Sequence, residues 1–484
     1  MKKLLSLALV FIMLFSVAGC ATPVKVEDLE IPTYKDEKEM VLRVDLPPNM
    51  SDREQMELYK ECGFNTIPLT EDFFSAADVD PYMDALAKYE EELAKWNGDE
   101  DTKPTEPDKP KYIQALELCE ELDIDIFIRP HHNPYVSGTP EKVINDPNYF
   151  EKFFSKLDFH DYPAVKGFMI VDEPTWGQVT DLINRYLPWF NEYYGDGNYE
   201  MFANLLGSGS TVWKDKYSQT KTYADFMNHY HDEFLDKVNS KNKTISYDAY
   251  VLCNDGTSNF VADRYLQGLL SMRQYADKYN AEFGAYVQCF TGYSNLRDPA
   301  SLADFAYQIY TYLAFGVDRL SFYGYRDYPP ESHLMEGGTP RAKWYWVQQM
   351  NTVIKKLDGL LGNFKWEGVY TNVGTGSFFE TSNMFENIKK DALKSLKGIS
   401  EVKSKYDTIV TQFVDGTGRN AYFLVNQEEP SLEKTNKASL KFEKADGVMY
   451  YRNGDPVIAT LENGTFNIEL EPGEGVFIIP LYKK

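Results

Sequence analysis

Gly167-Phe168-Met169-Ile170-Val171-Asp172-Glu173-Pro174 is an apolar run that stops abruptly in two acids and a proline. It reads as a strand, and Pro174, which has no N–H to donate, forces a turn after it. Similar short β-rich runs flank it. Upstream they fall at 42–46, 64–68 and 124–129, and this one spans 165–171. Downstream they fall at 199–205, 244–248, 283–290 and 319–323. Amphipathic helical stretches lie between them, and that alternation argues for βα units and a parallel sheet. Eight such units predict a closed (β/α)8 barrel rather than an open sheet.

The helices carry start signals. Ser51 to Glu54 and Ser301 to Asp304 fit a capping box. Asp146-Pro147 and Thr339-Pro340 place a cap before a first-turn proline. Leu302, Phe305, Ala306, Ile309 and Leu313 form one face of a 3.6 period, read as packing onto the barrel. Residues 97–110 hold three prolines and many charges, and read as a surface insertion after a helix near 81–96.

Beyond residue 361 the texture changes. Strand-like runs at 408–414, 421–425, 438–442, 448–452, 465–470 and 475–480 are separated by Asp415-Gly416, Asn453-Gly454, Asn463-Gly464 and Pro472-Gly473 turns. They predict a small antiparallel β-sandwich over 405–484. A barrel over 41–365 and a connector over 366–404, with a helix near 384–397, complete this part of the chain.

At the N-terminus, Lys2 and Lys3 precede a short apolar run ending in Val17-Ala18-Gly19-Cys20. This stretch resembles the lipobox of bacterial lipoproteins, which implies a signal peptide over 1–20, lipidation of Cys20 and anchoring at the extracellular face of the cell membrane. Residues 21–40 lack periodicity and read as a tether.

The 484-residue chain holds 74 Asp and Glu against 50 Lys and Arg, an excess that argues against a nucleic-acid partner. It carries 35 Tyr, 30 Phe and 7 Trp, side chains suited to gripping neutral carbohydrate. Cys62, Cys119, Cys253 and Cys289 are widely spaced; two disulfides or four buried thiols both fit. No dinucleotide fingerprint, phosphate loop or serine elbow stands where it would need to be, so no cofactor is expected. Gly207-Ser208-Gly209-Ser210 reads as a plain loop.

Catalytic side chains of such barrels sit at the C-terminal ends of strands. The polar residues falling there are Arg43 and Asp45, Glu71, Arg129 leading to His131 and His132, Asp172 and Glu173, Asn204, Asp248 with Tyr250, Gln288, and Tyr323 with Tyr325. Asp172 and Glu173 repel each other, so one is a candidate to keep its proton at neutral pH, as a glycosidic general acid must. The structural alternative is a pair of acids at a helix N-terminus. His131 and His132, adjacent on a strand, cannot both face one metal, and no further ligand spacing accompanies them. Trp176, Tyr250, Tyr323 and Tyr325 are candidates for stacking on sugar rings.

The barrel resembles clan A glycoside hydrolases, and its later half is similar to family 42 β-galactosidase-like proteins. The resemblance rests on Asp172-Glu173-Pro174, on the stretch from Tyr307 through Ala314-Phe315-Gly316-Val317-Asp318-Arg319 to Tyr325, on Gly338-Thr339-Pro340, and on the closing Leu470-Glu471-Pro472-Gly473. It implies that Glu173 is the acid/base. It also implies a nucleophilic Glu at the end of the seventh strand, where this chain has Gln288. Three explanations stay open: Asp248 as the base of an inverting enzyme, a nucleophile supplied by the substrate, or a barrel that binds glycan without cleaving it. Asp248 also has a structural reading, as the cap of a turn. The expected function is a surface-anchored glycoside hydrolase with Glu173 and Asp248 as catalytic residues. A non-catalytic glycan-capturing lipoprotein is the first alternative, and a barrel handling a non-sugar polymer the second.

Overall fold

Each of the eight runs forms a strand in the computed structural model: β1 (Val41–Asp45), β2 (Thr66–Leu69), β3 (Asp125–Ile128), β4 (Val165–Asp172), β5 (Glu200–Leu206), β6 (Thr244–Asp248), β7 (Glu282–Gln288) and β8 (Arg319–Tyr323). The structure describes residues 24–35, 39–69, 76–129, 157–240, 242–291, 295–326, 333–377 and 379–484, apart from the side chains of 76–80 and 379–382. The signal peptide with Cys20, the candidates Glu71, His131 and His132, and the cap expected at Asp146-Pro147 lie outside these residues. The strands pair in chain order, and β1 closes on β8 in parallel, from Val41 opposite Arg319 to Asp45 opposite Tyr323.

Alternation along the strands sends one set of side chains to the helices and the other into the barrel. The outward set is apolar: Leu42, Val44, Ile126, Phe168, Ile245, Phe283, Leu320 and Phe322 join the main core. The inward set is largely polar. At the base, Arg319 contacts Glu200 at 2.7 Å and Glu282 at 2.6 Å, all three nearly buried. Above them Phe127, Met169 and Phe202 make a small apolar plug. Arg43 crosses this layer, its Nε donating to Ser321 Oγ at 2.7 Å and its Nη2 to Met169 Sδ at 2.9 Å and to the Tyr286 hydroxyl.

The C-terminal part forms two sheets. β9 (Phe364–Asn372), β11 (Thr408–Asp415), β12 (Asn420–Asn426), β14 (Gly447–Arg452), β15 (Asp455–Thr460) and β17 (Gly475–Leu481) form a six-stranded sheet in the order β9-β11-β12-β17-β14-β15. β10 (Ile399–Ser404), β13 (Asn436–Phe442) and β16 (Thr465–Leu470) form a three-stranded sheet in the order β10-β13-β16. Val410, Tyr422, Leu424, Val476 and Ile478 face the small sheet, while Ile409, Phe423, Val425, Phe477 and Ile479 face the barrel. Burial on both faces is why 475–481 reads as an almost unbroken apolar run.

Several expectations are corrected. Residues 366–404 are not a mere connector: β9 and β10 belong to the sandwich, and the helix there spans Phe379–Ile388. The helix at Arg53–Glu61 is capped by Asp52, whose carboxylate accepts from Glu54 N at 3.1 Å and Gln55 N at 3.3 Å, rather than by Ser51. Ser301 makes no cap bond, because Asp304 is drawn instead to Arg297 and to Ala300 N. Thr339-Pro340 lies in a two-residue strand, and the next helix starts at Ala342. The helix Leu302–Ala314 is buried along nearly all its length, because the sandwich covers the face the barrel leaves free. Gly473, with φ +70°, lies so near this helix that a Cβ would stand 2.4 Å from Ala303 O. Residues 24–35 are docked rather than free: Leu29 is buried, Glu30 N donates to Tyr482 O at 2.8 Å, and Tyr34 OH donates to Asp415 at 3.1 Å. All four cysteines described are free and buried, which selects the thiol reading.

The Arg319 cluster generates a stability prediction. Arg319→Met removes the cation that pairs with two buried carboxylates, and such a loss costs about 3–5 kcal/mol. Urea denaturation at neutral pH is expected to show that loss; a change below about 1 kcal/mol, the worth of an exposed pair, would contradict the buried arrangement.

Candidate functional site

β4 carries one residue too many for its neighbour. Met169 stands opposite Phe202 on β5, but the next pairing joins Asp172 to Asn204, so three steps on β4 match two on β5. Such a bulge reverses the facing of the residues beyond it. Met169 points inward, Ile170 and Val171 both join the outer core, and Asp172 returns to the interior opposite Asn204. Glu173 then takes a left-handed conformation, φ +49°, with its N–H donating to Asn204 O at 2.8 Å. A bulky residue adopts that conformation only where its surroundings hold it there. The result is two consecutive acids on one side, which strict alternation forbids. The next helix begins at Trp176 with Thr175 as its cap, so neither acid is a helix cap.

Asp172 is fixed through both oxygens. Arg129 Nη2 donates to Oδ2 at 3.0 Å, and Asn204 Nδ2 to Oδ1 at 3.0 Å. Asn204 is oriented in turn by Ser246, whose Oγ donates to Oδ1 at 2.9 Å. Arg129 also approaches Asp45 at 3.5 Å, and the Tyr286 hydroxyl donates to Asp45 at 3.2 Å. Burial works against the Arg129 charge, but Asp172 and Asp45 outweigh it and raise its pKa.

Glu173 and Asp248 hydrogen-bond directly through their side chains. Asp248 is the deeper, 5% exposed at the end of β6, and Glu173 is half-buried. Burial raises the Glu173 carboxyl above its usual range and the charge of Asp172 adds to this, while the Asp248 hydrogen bond and Arg129 hold it down. Burial pushes Asp248 well above the carboxylate range, and Glu173 and Asp172 push it further. Two carboxyls in contact cannot both be ionised without strong repulsion, so the pair retains a shared proton.

This contact corrects one expectation. An inverting pair stands roughly 6.5–9.5 Å apart and a retaining pair about 5–5.5 Å, with the scissile bond between them. Carboxyls bonded to each other leave no such gap, so Asp248 is not the opposing base of Glu173 in this arrangement.

The other candidates divide. Asp172, Glu173 and Asp248 come together, and Tyr250 and Tyr323 stand half-buried beside them. Their rings are packed with Phe290 at 4.8 and 4.9 Å between centroids. Burial, then the charges of Asp248 and Asp172, raise the Tyr250 phenol well above its usual value. Asn204 and Arg43 are buried and act beneath the surface, the first on Asp172 and the second inside the barrel. Gln288 and Tyr325 are corrections, and Trp176 stands half-buried away from the three acids. Gln288 is wholly buried; its oxygen accepts from Val251 N and Leu252 N, and its Nε2 donates to the carbonyls of Leu252, Phe290 and Arg297. Tyr325 is core, packed on Tyr59 and Phe64. Trp176 stacks on His229 at 4.3 Å, with Lys221 5.4 Å from its ring centre. The network that joins Arg129, Asp45 and Tyr286 was not legible from strand ends alone, although Tyr286 and Gln288 share the parity of inward positions on β7. Among the described residues, no group of three or more His, Cys, Asp or Glu is arranged to hold a metal ion.

No protein-family profile matches the sequence, and a search of curated proteins finds no match. Solved structures of similar shape include an α-amylase from Anoxybacillus, 10% identical with TM-score 0.47, the match covering 94% of this chain and 100% of that one. A β-L-arabinopyranosidase from Geobacillus stearothermophilus is 9% identical with TM-score 0.46, covering 93% and 98%. An α-galactosidase from Saccharomyces cerevisiae is 8% identical with TM-score 0.45, covering 90% and 93%. Likeness at this level does not extend to reaction or substrate.

The shared proton has a measurable sign. A carboxyl whose folded pKa is raised favours folding at low pH, and that contribution is lost as pH rises through the folded value. Asp248→Asn removes the group, so its stability relative to the wild type is expected to climb as pH rises above the unfolded aspartate value of about 4, in urea titrations. A difference independent of pH would mean that the pair does not share a proton.

Proposed function

We propose that this chain is a glycoside hydrolase acting on an oligosaccharide or glycoconjugate, with Glu173 as the proton donor to the leaving oxygen. The observation that carries this reading is the direct hydrogen bond between Glu173 and Asp248 at the C-terminal end of β4. Burial and neighbouring acids keep a proton within reach of a half-exposed carboxyl, which general-acid catalysis near neutrality requires. Asp172, held by Arg129 and Asn204, is a fixed acceptor beside it, suited to positive charge developing on a sugar ring. Tyr250 and Tyr323 offer aromatic surface next to the acids. The resemblance to clan A, and to family 42 in particular, belongs to this proposal: Glu173 stands where that clan keeps its acid/base.

The nucleophile is the point of departure. Gln288 replaces the expected Glu and is spent on backbone groups, and Asp248 touches Glu173 instead of opposing it. We therefore favour a nucleophile carried by the substrate itself, such as the carbonyl oxygen of a 2-acetamido group. A second reading, capture of glycan without turnover, is favoured by the same Gln288. Anchoring through a lipidated Cys20 is also part of the proposal. Residues 24–35 lie against the sandwich, so an anchor at Cys20 would hold that end of the molecule to the membrane.

Glu173→Gln is expected to lower kcat by about 10²–10⁴-fold on a cleaved glycoside, the usual worth of a general acid, while leaving glycan affinity unchanged. Turnover at the wild-type rate would refute the assignment. Across a panel of 2-acetamido and 2-hydroxy glycosides, hydrolysis of the acetamido sugars alone is expected; binding with no product from any of them would select the capture reading. Separately, Cys20→Ala is expected to release the protein from the membrane fraction and abolish incorporation of labelled fatty acid. Unchanged retention and labelling would exclude the anchor.

A further inference from the structure

The loop after β5, residues 207–221, leaves the barrel at its mouth and is bonded to the segment that follows Glu173. Trp176 N donates to Trp213 O at 2.9 Å, and Gly177 N to Asp215 Oδ2 at 2.6 Å. Gly177 makes room for this contact: a Cβ there would stand 2.8 Å from Asp215 Oδ2 and 3.6 Å from the Tyr217 ring. Tyr217 thus lies beside the start of the helix Trp176–Asp181, and it is 66% exposed.

The loop is basic in a chain whose formal net charge is -24. It carries Lys214, Lys216 and Lys221 against a single acid, Asp215. Each ammonium lies over an aromatic ring: Lys214 is 5.1 Å from the centre of Trp213, Lys216 4.8 Å from that of Tyr217 and Lys221 5.4 Å from that of Trp176. None of the three is paired with a carboxylate among the described residues. Asp215 is spent on neutral donors, accepting from Gly177 N, from Tyr217 N at 2.8 Å and from Ser218 Oγ at 3.1 Å. The next acid along the chain, Asp225, accepts from Thr222 N and Oγ1, both at 2.8 Å, at the start of its own helix. A fourth cation reaches the loop from another element. Arg264, exposed ahead of the helix Tyr265–Tyr279, has its Nη1 3.9 Å from where a Cβ on Gly209 would stand.

Four cations gathered without paired acids make a local positive field on an otherwise acidic protein, and such a field favours an anion. The mouth beside it has the opposite sign, because Asp45, Asp172, Glu173 and Asp248 meet there around Arg129. An anionic group is repelled by the acids and attracted by the loop. We propose that residues 214–221 with Arg264 form a subsite for a glycan bearing sulfate or carboxylate groups, with the charge on a sugar unit beyond the one presented to Glu173. Tyr217 offers its exposed ring to the sugar at the rim. This inference rests on the glycoside reading of the mouth and narrows its substrate to anionic glycans.

The test titrates the full chain carrying Glu173→Gln, so that affinity is read without turnover, by calorimetry at pH 7 and low salt. The probes are chitohexaose, its 6-O-sulfated form, and an unsulfated chondroitin hexasaccharide, which carries carboxylates alone. The sulfated hexamer is expected to bind at least about tenfold more tightly than chitohexaose. Combining Lys214→Gln, Lys216→Gln and Lys221→Gln removes three exposed contacts, each worth a factor of about two, and is expected to close most of that gap while leaving chitohexaose unchanged. Arginine at the same three positions is expected to retain it. Chondroitin binding as tightly as the sulfated hexamer assigns the rim to uronates as well; weaker binding assigns it to sulfate esters. Absence of saturable binding by both charged hexamers, equal affinity for the neutral and sulfated forms, or a gap that survives the triple glutamine variant would each overturn the proposal. The rim can fail while Glu173→Gln still abolishes hydrolysis, and it can stand where no hydrolysis is found, so the two readings are separable.

Discussion

The contact between the Glu173 and Asp248 carboxyls depends on one extra residue in β4. Without the bulge after Met169, Asp172 would face the helices and Glu173 alone would face the barrel. With it, both turn to the mouth, and the left-handed backbone at Glu173 carries its side chain toward Asp248. Two acids in contact at the edge of an apolar core settle the electrostatics of the site, because desolvation and mutual repulsion both disfavour a second negative charge.

The polar interior of the barrel supports that mouth from below. Asp172 is held by Arg129 and Asn204, Arg129 by Asp45, Asp45 by Tyr286, and Tyr286 by Arg43. Each member is buried or half-buried; Asp172 is turned inward by the bulge, and the others by the inward parity of their strands. Such a chain of partners limits where Asp172 can move. It leaves Glu173, which lacks a cation of its own at hydrogen-bonding distance among the described residues, as the acid able to exchange a proton. The Arg319 cluster at the base has no part in the mouth. It neutralises the acids that close the other end of the barrel.

The barrel was legible because its strands are short β-rich runs alternating with amphipathic helical stretches, a pattern local enough to read. The sandwich was legible wherever a turn dipeptide separated two runs. β9 was hidden by its bulge between Trp366 and Gly368, which breaks the alternation, and β15 by Pro456, which marks an edge strand. The site was legible in part. Glu173 and Asp248 could be named from strand ends, but their contact could not, because no glycine or proline in 168–171 announces the bulge. Gln288 and Tyr325 sit at the right sequence positions for a site, yet their side chains are taken up by loops and helices whose approach no local pattern encodes. Arg129 had been placed at the end of its strand, and only the folded chain shows that its partner is Asp172, 43 residues later.

Everything proposed for the mouth rests on where the shared proton sits, and neutron diffraction from deuterium-exchanged crystals at neutral pD observes it directly. One deuteron is expected between the Glu173 and Asp248 carboxyl oxygens. Two bare carboxylates separated by water would contradict that arrangement.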